Sequence, residues 1–163
     1  MVFFTSSEFN SWWASASESI TPAPNSIKGS LFQENGKSYA AHMTLPPGKR
    51  QFVTDVTHYM NLPYDTALHA AGMHLHPFAQ AVTLRDATDG RVIFKVAAKT
   101  IPDPPSIERI DSFLSPEGVP LFKDHRYEIV ADYDNTGDKD ADAMADAILY
   151  FRDQHFDPKA FLK

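Results

Sequence analysis

Three side chains able to hold a metal ion, His74, His76 and Met144, are the most chemically pointed feature of the sequence. One residue separates the two histidines. In a strand, residues i and i+2 point to one face. His74-Leu75-His76 therefore aims two imidazoles at one point, with Leu75 turned the other way into a core. Two imidazoles and a thioether form a ligand set of mixed softness. Thioether selects copper, Cu(I) above all, over zinc, calcium or magnesium. Imidazole must be neutral to bind, so affinity is expected to fall below pH ~6. The same residues have an ordinary reading as well: His-x-His arises by chance, and most methionines fill cores.

Bringing such residues together is a task for strands, and strand signals dominate the chain. Ser38–Met43, Gln51–Met60, Thr66–His76, Ala79–Arg85, Val92–Ala97, Tyr127–Tyr133 and Ala143–Arg152 read as strands, with Val92, Phe94 and Val96 on one face. Pro46-Pro47-Gly48 and Asn61-Leu62-Pro63 are breaks, and Asp89-Gly90 supplies a hairpin turn between Asp86 and Arg91. Ile101–Ser106 carries three prolines and reads as a loop or edge segment. Asp134–Asp140 is a polar turn before the last strand. The pattern predicts an all-β fold, a jelly-roll-like antiparallel β-sandwich. Ahead of it, residues 5–18 read as a short helix: Thr5 and Glu8 fit a capping box, and Phe9, Trp12 and Trp13 form an apolar stripe. Residues 21–30 read as a linker. The expected division is a helix-and-linker arm over 1–31 and a β-sandwich domain over 32–163.

Composition narrows the function classes. The chain has 163 residues, 43% hydrophobic, enough for one real core. Fifteen basic residues stand against 21 acidic ones, a net charge of −6, with no basic patch, so nucleic acid is not an expected partner. The absence of cysteine excludes disulfides, thiolate metal sites and a cysteine nucleophile. No apolar run reaches the ~18 residues of a membrane span. The N-terminus lacks the charge and apolar pattern of a signal peptide.

The other candidates divide by spacing. His42 precedes Pro46-Pro47-Gly48 on an expected strand and would be an added ligand if that strand borders the site. His69 falls on the face opposite His74 by parity in an unbroken strand. His58 and His125 read as ordinary strand residues, and His155 as a solvated tail residue. The acidic run Asp132, Asp134, Asp138, Asp140, Asp142, Asp146 lacks the glutamate of a calcium loop and reads as a solvated turn. Asp142, two before Met144, is a candidate to hold either a neighbouring backbone group or a ligand imidazole in place. A cupin would need a glutamate soon after the histidine pair, where Pro77-Phe78-Ala79-Gln80-Ala81 stands. No nucleophile elbow, P-loop or dinucleotide fingerprint is present, and no catalytic residue is assigned. If Met144 is not a ligand, a His-His-carboxylate zinc site is the remaining metal reading.

Taken together, Leu45-Pro46-Pro47-Gly48-Lys49, His74-Leu75-His76-Pro77-Phe78-Ala79, Tyr133-Asp134-Asn135 and Asp142-Ala143-Met144 leading into Ile148-Leu149-Tyr150-Phe151 resemble a known family. They are similar to the C-terminal domain of the copper type II, ascorbate-dependent monooxygenases, the group of peptidylglycine α-hydroxylating and dopamine β-monooxygenases. The resemblance spans roughly residues 38–155. It implies a copper ion on His74, His76 and Met144, the oxygen-binding copper of the family. It also implies a periplasmic or extracellular setting. In the full enzymes a separate domain carries a second, electron-supplying copper on three other histidines. This chain has no adjacent His-His pair, no cysteines, and Ala79 where a glycine is usual.

Monooxygenation is therefore expected only with a second copper domain or an electron-donor protein as partner. The alternatives are a copper-binding module for storage or transfer, and a β-sandwich interaction domain without metal.

Overall fold

The computed structural model describes residues 43–152 and, ahead of them, the strand backbone of Trp13–Ser15, Leu31–Glu34 and Lys37–Ala40. The protein is an all-β antiparallel sandwich, as the alternation predicts. The strands in chain order are β1 (Trp13–Ser15), β2 (Leu31–Glu34), β3 (Lys37–Ala40), β4 (Met43–Leu45), β5 (Gly48–Asp55), β6 (Thr66–Leu75) and β7 (Ala79–Asp86). Then follow β8 (Val92–Pro102), β9 (Pro105–Ile110), β10 (Phe113–Leu121), β11 (Tyr127–Asn135), β12 (Ala141–Ala143) and β13 (Ala145–Phe151).

One sheet runs β1-β13-β6-β10 and faces a second that runs β5-β11-β7-β8-β9. Two ribbons, β12-β4 and β2-β3, complete the pairing. The core lies between the sheets. Leu68, Ala71, Leu75, Ala145, Ala147 and Leu149 of the first meet Val82, Leu84, Phe94, Val96, Tyr127, Ile129, Ala131 and Tyr133 of the second. Phe113 of β10 stacks on Phe94 of β8 with ring centres 5.1 Å apart, joining the sheets near one margin. The alternation of buried alanine and leucine along β13 follows from the two-residue period of a half-buried strand.

Several elements depart from the pattern read above. Trp13–Ser15 is a strand paired with β13, not part of a helix; the rest of the expected helix over 5–18 lies outside the described residues. The strand expected over Gln51–Met60 ends at Asp55, whose carboxylate accepts the Thr57 amide, and Thr57–Met60 makes one helical turn closed by a left-handed Asn61. Among the described residues this turn, α1, is the only α-helix, and no helix is long and apolar enough to cross a membrane.

Val92 does not share a face with Phe94 and Val96. A register shift opposite Leu84 and Arg85 places Ile93 inward and leaves Val92 56% exposed. Asp89-Gly90 does make the hairpin turn, with Gly90 at φ 79°. The proline-rich stretch lies at the β8–β9 turn and leads into β9, the edge strand.

Candidate metal-binding site

His74 and His76 occupy the last turn of pleat in β6 and the residue just beyond it. Leu75 between them is buried in the core, while His74 is exposed and His76 half-buried. The two rings are nearly perpendicular, with centres 5.3 Å apart. β13 runs antiparallel to β6 with Ala145 opposite Leu75 and Asp146 opposite His74. One step further along this ladder, the His76 amide donates to the Met144 carbonyl at 3.0 Å. Met144 is thus His76's cross-strand neighbour. Its two flanking residues, Ala143 and Ala145, are buried, whereas Met144 is half-buried. If strand alternation carries through the junction between β12 and β13, Met144 turns away from the core that holds Ala143 and Ala145, as His74 turns away from the core that holds Leu75. All three residues picked from the sequence lie where the β6–β13 ladder ends, at one end of the sandwich.

Two connections meet here. After His76 the chain leaves the first sheet, turns through Pro77 and Phe78, and begins β7 of the second. Phe78 is left-handed, at φ 71°, a conformation that costs a non-glycine residue about 1 kcal/mol. Its carbonyl is held by the Asp134 amide at 2.9 Å and by the Gln80 side-chain amide at 3.2 Å. At Met144 the chain passes from the β12-β4 ribbon into the first sheet. The Tyr133 hydroxyl, reaching across from the second sheet, donates to the Met144 carbonyl at 2.6 Å. Burial pushes the Tyr133 phenol well above the usual tyrosine range, and the negative charges of Asp146 and Asp142 add to the effect. It stays a neutral donor at any physiological pH.

Asn135 fixes the approach to β12. Fully buried, it donates to the carbonyls of Leu45 and Lys139, each at 2.9 Å, and its side-chain oxygen accepts the Gly137 amide. The Tyr133-Asp134-Asn135 run picked from the sequence is thus what ties the loop before Asp142 and Met144 to the body. Asp142 itself lies on β12, opposite Thr44, and its Oδ2 is 2.7 Å from His76 Nδ1. An ionised carboxylate accepts there from Nδ1–H, which makes Nε2 the nitrogen that carries the lone pair.

The remaining histidines fall elsewhere. His42 and His155 lie outside the described residues. The parity argument for His69 does not hold, because the β6–β13 register shifts between Tyr150 and Phe151 and inserts a residue near His69. His69 turns toward β10, where Nδ1–H donates to the Ser115 carbonyl at 3.1 Å. His58 lies in α1, with its ring tilted against Tyr59.

His125 is not a strand residue. It sits in the turn before β11 and binds Asp86, whose Oδ2 is 2.6 Å from its Nδ1. Asp86, Asp89 and His125 are the only described residues that group three histidine or carboxylate donors within reach of one ion. A cation already serves them: the Arg91 guanidinium lies 3.9 Å from Asp86 and 3.7 Å from Asp89, and donates to the Pro120 carbonyl. Sequence separation hid this cluster, since Asp86 and His125 stand 39 residues apart. Strand β7 carries Asp86 at the end away from Ala79, roughly 23 Å from the His74–His76 end at ~3.3 Å per residue.

No family model, no curated protein and no solved structure matches the chain.

Proposed function

We propose that the chain is a mononuclear copper-binding domain whose ligands are His74, His76 and Met144, similar in plan to the oxygen-activating half of a copper, ascorbate-dependent monooxygenase. The observation that carries this reading is the β6–β13 register. It puts Met144 beside His76, with the two imidazoles 5.3 Å apart and turned to the same side. Two neutral imidazoles and a thioether suit a soft, monovalent ion, and copper is the biological metal that takes that set. Copper held this way supplies one-electron and dioxygen chemistry. The chain's own contribution is to hold the donors: Tyr133 and Asn135 anchor the Met144 side, and the tied Phe78 turn anchors the His76 side.

Among the described residues there is no second grouping of histidines that could hold an electron-supplying copper. In this plan, hydroxylation of a substrate C–H bond would draw its electrons from a second copper domain or a donor protein. A second reading, copper binding for storage or transfer without catalysis, is favoured by the exposure of His74, which opens the site to a partner's ligands.

Anaerobic Cu(I) titration is the test. The wild-type chain is expected to bind one ion, and His74→Ala, His76→Ala and Met144→Ala each to weaken it by about a hundredfold. Equal affinity in all four proteins would remove both copper readings. Ascorbate-driven oxygen uptake, with and without an added donor, then separates an oxygen-activating site from a carrier.

A further inference from the structure

We propose that Asp142 is a positioning residue for this centre: it selects Nε2 of His76 as the metal-binding nitrogen and supplies a negative charge that lets the site hold Cu(II) as well as Cu(I). The inference rests on the copper reading above. Asp142 is not a neighbour of His76 in the sheet ladder. It belongs to β12, paired with β4, and reaches His76 from a separate ribbon. The contact is short, 2.7 Å, while the Asp142 side chain is 47% exposed and that of His76 21% exposed. A contact that open contributes little to folding. What it does is fix a tautomer and a ring orientation.

The charge has a separate consequence. Two imidazoles and a thioether are all neutral, so by themselves they compensate none of the charge of a bound ion and favour the monovalent state. A carboxylate hydrogen-bonded to a ligand ring raises the ring's basicity and offsets charge on the metal, and this matters more for Cu(II) than for Cu(I). Asp142 therefore narrows the gap between the two oxidation states, as a centre that cycles between them requires.

The test uses Asp142→Ala and Asp142→Asn in the full chain, with Cu(I) and Cu(II) titrations, a reduction potential, and thermal unfolding of the metal-free proteins as the folding control. Asparagine keeps an acceptor for Nδ1–H but removes the charge. In Asp142→Ala, Cu(II) affinity is expected to fall about 10–100-fold and Cu(I) affinity by less. In Asp142→Asn, Cu(I) affinity should stay near wild type while Cu(II) affinity falls. Both potentials should rise, by about 59 mV for each tenfold difference between the two affinities. Wild-type Cu(II) affinity and potential in both variants, with copper binding lost in His74→Ala, would overturn the role of Asp142 and leave the site standing. A wild-type chain that binds copper in neither state overturns the site and this inference together.

Discussion

At the residue scale, the chain shows how far spacing alone carries. His74-Leu75-His76 was legible because a strand's two-residue period leaves no freedom: Leu75 is buried, so its neighbours face the other way. The Asp142–His76 contact was legible only as a possibility, since Asp142 shares parity with Met144. His125 was not legible at all. Its partner Asp86 comes from a distant hairpin, and nothing local marks the pair.

That pair makes a prediction about acid stability. Burial alone would raise the Asp86 carboxyl, but hydrogen bonds from His125 and Thr88 outweigh it and hold the group below its ordinary value. A lowered folded pKa means that the contribution is complete above pH ~4, the unfolded value, and is lost as pH falls through the folded one. Asp86→Asn is expected to cost about 2 kcal/mol at neutral pH and to flatten the acid limb of the stability curve. Urea unfolding between pH 3 and 7 measures both. An unchanged acid limb would mean that the Asp86–His125 hydrogen bond does not order this turn.

At the scale of elements, apolar alternation located β6, β7, β8, β11 and β13, and turn chemistry located the β7–β8 hairpin. It failed where bulges and prolines interrupt the period. No strand is expected from the sequence over Phe113–Leu121, yet this segment, interrupted by Pro116, Gly118 and Pro120, is β10. The pairing survives by a register shift between Leu114 and Val119 against β6.

Gly118 makes that shift possible. It sits at φ 76°, and a Cβ there would stand 2.7 Å from the Ala67 Cβ and 2.9 Å from the His69 ring. Gly118→Ala is expected to lower stability by about 2 kcal/mol, through both backbone strain and overpacking. Chemical unfolding reads the loss, and amide exchange should place it in β10 and β6. A loss under about 0.5 kcal/mol would mean that β10 relaxes away from β6 at small cost.

The whole molecule explains why the candidate site and the Asp86 network do not interfere. They close opposite ends of the same sandwich, with the core between them. Three of the edge strands among the described residues carry features that discourage further pairing: β10 has two prolines and a bulge, β9 begins at a proline, and β5 presents Lys49 and Arg50. A ligand that binds only the folded state raises the stability of the whole cooperative unit. Cu(I) at about a hundred times its dissociation constant should therefore add about 2.7 kcal/mol. For a chain this size that is a rise of about 5–10 °C in Tm, with no rise in His74→Ala. Differential scanning fluorimetry under reducing, anaerobic conditions checks it. A shift of equal size in His74→Ala would place the bound copper elsewhere.

Met144 is the one residue that lies between β12 and β13, where two separately paired ladders abut. An ion gripped at such a seam acts as a rivet. It would fasten the short β4–β12 flap to the broad four-stranded sheet. The amides of Ala143 and Ala145, one on each side of the join, should then gain protection in step when metal is added, even though they belong to different ladders.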